Sequence, residues 1–84
     1  MPDVVEKIGD NVPEITVVIP CRNEEQNVPR IAQAVIEQLE PIVQSFDIIF
    51  IDNESTDKTV EVARELCSRD PRVRLIVNSR NFGQ

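Results

Sequence analysis

Asp47-Ile48-Ile49-Phe50-Ile51-Asp52, followed by Asn53-Glu54-Ser55-Thr56, decides the fold. A short apolar run bounded by acids marks a strand buried on both faces of a parallel sheet. Ser55 and Thr56 are helix-capping residue types. Beyond them Val60, Ala63, Leu66 and Cys67 share one face of a helix over about 57–68. Asp57 lies near its N-terminus, where the helix dipole favours an anion. Asp70-Pro71 stops this helix, Val73-Arg74-Leu75-Ile76-Val77 reads as another strand, and a polar loop follows from Asn78 to Gln84.

The same alternation holds upstream. Ile15-Thr16-Val17-Val18-Ile19 is nearly all β-branched and reads as a strand that Pro20 stops. Val28, Ile31, Ala32, Val35, Leu39, Ile42 and Val43 have helical spacing over 28–43. Pro29 suits a first turn, and Pro41 ends the helix or kinks it before one more turn. Residues 1–14 are polar with no apolar period and read as a flexible leader. The order β-α-β-α-β implies a Rossmann-like α/β fold with a three-stranded parallel sheet. Right-handed crossovers put both helices on one sheet face if the strands run 3-2-1. The strands are apolar on both faces, so the unit looks incomplete, and self-association into a homo-oligomer is expected.

Composition narrows the function. The chain has 84 residues, no His, two Cys and a net charge of −6. Nucleic acid is a poor partner for that charge, and His-based triads and Cys/His zinc sites are excluded. No apolar run is long enough to span a membrane, and no signal-peptide core precedes the first strand, so a cytoplasmic placement is expected. Cys21 and Cys67 read as buried, reduced thiols. Charge is uneven: residues 66–84 carry four Arg and one acid. A solvated basic edge is the plainer explanation, and a surface facing phosphate or an acidic partner the sharper one.

In open parallel sheets, ligands bind beyond the carboxyl ends of the strands. Three polar segments fall there: Pro20-Cys21-Arg22-Asn23-Glu24-Glu25, Asp52 to Asp57, and Asn78 to Gly83. None has the glycines of a dinucleotide or P-loop turn. The rim instead offers carboxylates and amides, which suit ribose hydroxyls and base N–H groups better than phosphate. For Asp52 alone, turn capping and ligand contact weigh equally; with the other two loops on the same rim, ligand contact is favoured. Ser55 reads as a cap, Asp57 as a helix-start residue and Glu25 as a solvated acid.

At these loops the chain resembles the family-2 glycosyltransferases. Val17-Val18-Ile19-Pro20-Cys21-Arg22-Asn23-Glu24-Glu25 is similar to their opening V-I-P-x-Y-N-E-E, and Ile51 to Thr59 to their V-D-D-G-S-x-D-x-T. Asp70-Pro71-Arg72-Val73 and Ser79 to Gln84 resemble the third strand and following loop of the dolichyl-phosphate-mannose-synthase-like branch. The resemblance covers about residues 15–84. It implies the N-terminal, nucleotide-sugar-binding part of a GT-A fold, with Pro20, Arg22, Asn23, Glu24, Asp52 and Asn53 at a nucleotide-diphospho-sugar. It also implies a polyprenyl phosphate acceptor and a place at the cytoplasmic membrane face for a longer parent.

Two departures from the pattern stand out. Arg22 replaces the usual Tyr, exchanging an aromatic stack for a guanidinium one. Asn53-Glu54 replaces Asp-Gly, removing a carboxylate and then a flexible backbone point. The family's D-x-D motif, which holds a divalent metal (Mg or Mn), and its catalytic base belong beyond Gln84. No catalytic or metal residue is therefore assigned here, and the chain alone is expected to be inactive and metal-free. A non-catalytic nucleotide-binding or assembly module is the alternative.

Overall fold

The computed structural model describes residues 13–78. It contains β1 (Ile15–Cys21), α1 (Val28–Leu39), β2 (Phe46–Asn53), α2 (Thr59–Arg69) and β3 (Val73–Asn78). The three strands form one parallel sheet in the order β1-β2-β3, with Val17 opposite Ile48 and Phe50 opposite Leu75. The βαβαβ architecture with a three-stranded parallel sheet agrees with the expectation from sequence, and the strand order is the one that puts both helices on one face. Such a unit matches the Rossmann-like N-terminal part of a GT-A fold. The leader expected over 1–14 and the loop expected after Asn78 lie almost wholly outside the described residues.

Burial alternates along β2: Phe46, Ile48, Phe50 and Asp52 are buried, whereas Asp47, Ile49 and Ile51 are half-buried. The expectation of a strand buried on both faces is corrected here. Both helices cover one face, and Val28, Ala32 and Ala63 pack there with Phe46, Ile48, Phe50, Cys21 and Val73. The small Ala32 and Ala63 side chains let the helix backbones approach the sheet. Register places Thr16, Val18, Pro20, Asp47, Ile49, Ile51, Arg74 and Ile76 on the opposite face. Ile76 there is 48% exposed.

Several boundaries move. β1 runs through Pro20 to Cys21 rather than stopping at Pro20. Because β1 is an edge strand, a residue without an N–H is tolerated. α1 ends at Leu39, and the backbone N–H groups of Ile42 and Val43 both donate to Leu39 O in a terminal turn. Pro41 thus ends the helix rather than kinking it. Val43 still packs on the core, but Ile42 is 72% exposed, so the apolar phase breaks at that residue.

The amino ends of the strands are held by Arg72. Its guanidinium lies 4.8 Å from the Phe46 ring centroid and pairs with Asp70 at 2.8 Å and Glu40 at 3.1 Å. Arg69 pairs with Glu65, and Arg74 with Asp47. The arginines of the basic segment within the described residues are thus matched to the chain's own acids. Arg80 lies outside the described residues.

Candidate functional site

The carboxyl ends of β1 and β2 carry two loops, 22–27 and 54–58. Cys21 and Asp52 are register partners, so the loops leave the sheet side by side. Both turn through a left-handed residue, Asn23 (φ 53) and Glu54 (φ 59). Asparagine tolerates that conformation; glutamate adopts it less readily.

Hydrogen bonds join the loops in both directions. The Asn23 N–H donates to Ser55 Oγ at 2.8 Å, and the Glu24 N–H to Thr59 Oγ1 at 2.7 Å. The Glu25 N–H reaches Asp57 Oδ2 at 3.4 Å. In return, Asn23 Oδ1 accepts from the N–H groups of Thr56 (2.8 Å) and Asp57 (3.3 Å). Glu25 Oε1 accepts from the Lys58 N–H at 3.1 Å. Three successive amides of the first loop are therefore committed to side chains of the second segment, which removes them as phosphate donors.

The acids sit beneath this lacing. Asp52 is 1% exposed, and its Oδ2 accepts the Ser55 N–H at 3.2 Å while its Oδ1 accepts the Ser55 hydroxyl. Asp57 Oδ1 accepts the Thr59 N–H at 2.9 Å and the Thr59 hydroxyl. The Thr59 hydroxyl bond, above all, holds the Asp57 carboxyl below its ordinary range. The Cys21 thiol is buried; burial first, then the negative charges of Asp52, Glu24 and Asp57, pushes it above the usual thiol range. Cys21 is thus a neutral thiol at physiological pH, unsuited to nucleophilic work. Cys67 is half-buried, and both cysteines are free thiols.

The six residues expected at the ligand divide by exposure. Pro20, Arg22, Asn23 and Asn53 are exposed, Glu24 is half-buried and Asp52 is buried. Glu24 Oε1 accepts from Asn27 Nδ2 at 2.8 Å, and Asn53 Oδ1 accepts from Asn78 Nδ2 at 3.2 Å. Arg22 makes no ion pair among the described residues and stands exposed beside the committed acids. No group of three or more acids or thiols among the described residues could hold a metal ion. With no such group around Asp52, these residues do not supply the ligand set of a bound divalent cation.

Ser55 and Thr59 carry roles that the sequence did not assign. Ser55 is not a helix cap: α2 begins at Thr59 with Lys58 as its N-cap. Glu25, expected to be solvated, bonds the Lys58 amide. Thr59 had a legible signal, because it extends the stripe of Ala63, Leu66 and Cys67 back by one turn. A fully buried hydroxyl at a helix start points to an internal partner.

Known proteins share this arrangement of sequence. The profile of glycosyl transferase family 2 matches residues 16–84. The uncharacterized glycosyltransferase YkcC of Bacillus subtilis is 33% identical over 70 residues, covering 83% of this chain and 22% of the relative. The undecaprenyl-phosphate 4-deoxy-4-formamido-L-arabinose transferase of Proteus mirabilis is 29% identical over 76 residues, covering 89% and 23%. The succinoglycan biosynthesis protein ExoA of Rhizobium meliloti is 38% identical over 68 residues, covering 79% and 19%. The chain spans about a fifth of the length of these curated relatives. With its sheet, its paired rim loops and a match over nearly all of its strands and helices, the chain belongs to glycosyl transferase family 2.

Proposed function

We propose that this chain supplies donor recognition for a transferase that takes a sugar from a nucleotide-diphospho-sugar. The observation that carries this is the rim itself: Arg22 and Asn53 are exposed beside the buried Asp52, at the carboxyl ends of two parallel strands. An ionised carboxylate has about four acceptor positions. Ser55 fills two on Asp52, which leaves capacity for a ribose hydroxyl or a base N–H. Arg22 adds a planar cation suited to stacking on a base or pairing with a phosphate oxygen. Pro20, Asn23 and Glu24 shape the wall between them.

Sugar transfer also needs stabilisation of the leaving diphosphate and a base for the acceptor hydroxyl. The cation that the family uses at the diphosphate, Mg²⁺ or Mn²⁺, would draw its ligands from outside the described residues. We assign donor binding to this chain and transfer to the longer protein. The acceptor class we propose is a polyprenyl phosphate, in keeping with the name of the Proteus mirabilis relative and with the branch that the third-strand motif resembles. That acceptor would place the work at a membrane surface, although no helix among the described residues is long and apolar enough to cross one.

Calorimetry with uridine and guanosine diphosphates tests donor binding. A hydrogen bond to a charged group contributes roughly 1.5–3 kcal/mol. Asp52→Ala is therefore expected to weaken binding at least tenfold, and unchanged affinity removes Asp52 from the site. Metal-dependent turnover by the 84-residue chain alone would overturn the division of labour. We also propose that the sheet face bearing Val18, Ile49, Ile51 and Ile76 meets a second copy. Sedimentation as a monomer at micromolar concentration would refute that.

A further inference from the structure

We infer that Asn23 and Ser55 are positioning residues that lock the two rim loops together, so that Arg22 and Asp52 meet the donor as one preset pair. This rests on the donor-binding proposal above and extends it to residues that need not touch the ligand.

Two hydroxyls perform the same connection twice. Ser55 Oγ accepts the Asn23 N–H and donates to Asp52; Thr59 Oγ1 accepts the Glu24 N–H and donates to Asp57. A hydroxyl has one donor and two acceptor positions, so each can couple a backbone amide of one loop to a carboxylate of the other. Asn23 closes the circuit from the opposite side, its Oδ1 accepting two amides of the second loop. Displacing either loop breaks bonds in both directions.

Both members of the candidate pair hang from this clasp. Arg22 directly precedes Asn23, whose left-handed backbone fixes how the chain leaves β1. Asp52 takes its orientation from Ser55, which is itself held by Asn23. Loops already ordered before the ligand arrives spare the ordering cost on binding. They also hold the donor in one place for the later transfer step.

The test separates the clasp from the fold and from the donor proposal. Asn23→Gly keeps the positive φ and deletes the amide, whereas Asn23→Asp retains an acceptor oxygen. In the unliganded full chain, Asn23→Gly is expected to speed amide exchange at Thr56 and Asp57 about tenfold, the worth of about one hydrogen bond. Asn23→Asp should stay within about threefold of the unsubstituted protein. Exchange at Ile48 and Phe50 serves as the reference for an intact fold. Unaltered exchange at Thr56 and Asp57 in Asn23→Gly overturns the clasp.

Calorimetry then reads the positioning role. Ser55→Ala should weaken uridine or guanosine diphosphate binding about tenfold, and Ser55→Thr, which keeps the hydroxyl, should restore most of it. Wild-type affinity in Ser55→Ala overturns the role. If the unsubstituted protein binds neither nucleotide, the donor proposal falls and the positioning role falls with it. The exchange data still decide whether the loops are coupled.

Discussion

Glu54 offers a measurement of backbone strain at the rim. It sits at φ 59 on the turn after β2, where a Cβ crowds the following carbonyl. The left-handed conformation costs an L-residue about 1–2 kcal/mol, and glycine escapes that cost. Glycine also gives the unfolded chain extra freedom, worth roughly 0.4–1 kcal/mol against the folded state. The difference leaves about 1 kcal/mol in favour of Glu54→Gly over Glu54→Ala. Alanine is the proper reference because both variants lose the same glutamate side chain and only alanine keeps the Cβ. In a domain of this size, about 1 kcal/mol moves the melting temperature by roughly 4–8 °C. Thermal unfolding followed by circular dichroism should therefore place the glycine variant that far above the alanine variant. Urea unfolding should show the same order with an unchanged m value. Equal midpoints, or a more stable alanine variant, would show that the turn is not strained at Glu54.

Other outcomes follow from the loops and the opposite end of the sheet. Thr59→Val removes a fully buried hydroxyl and leaves the Glu24 N–H without its acceptor, at about 1–3 kcal/mol. Thr59→Ser should recover most of that loss in urea unfolding. In the same Val variant the Asp57 carboxyl should titrate closer to its ordinary value by NMR, because the Thr59 hydroxyl is the main cause of its depression. Arg72→Ala loses the Phe46 stack and the bonds to Asp70 and Glu40, and should destabilise by about 1–2 kcal/mol. Arg72→Lys should not restore it, since an ammonium cannot reproduce the planar fork. Asp70 is held below its ordinary range chiefly by Arg72. A depressed carboxyl stabilises the fold above the ordinary carboxylate range and loses that contribution as pH falls through its folded value. The advantage of wild type over Arg72→Ala should thus shrink below about pH 4, and a constant gap would refute the linkage.

The alternation of the two periods made the architecture legible. The β-branched run at 15–19, the apolar run at 48–51 and the stripe through Ala63 each needed only local sequence. Boundaries failed where tertiary context decided. Pro20 looks like a stop until its strand is known to lie at a sheet edge. Ile42 keeps the helical phase on paper, but the chain has already left the helix at Leu39. The one-sided burial of β2 could not be read from β2 itself, because Ile49 and Ile51 are as apolar as Ile48 and Phe50; only the handedness of the crossovers pointed to it. At the rim, position was readable and partnership was not. Asn23, Ser55 and Asp52 could be placed at the strand ends from sequence alone. The bond between Asn23 and Ser55 links residues 32 positions apart, and no periodicity reports such a pair.

The sequential strand order has a kinetic consequence. Spatial order repeats chain order, so each strand leaving the ribosome finds its neighbour already made. Assembly can then run vectorially, with β2 docking on β1 and β3 on β2, and no step among the described strands waits for a later one. The Asn23–Ser55 bond spans 32 residues and closes as soon as the second loop emerges. The rim is then set while the rest of a longer chain is still being synthesised. A stalled nascent chain whose residues 13–78 have cleared the exit tunnel should already resist proteolysis between the two loops.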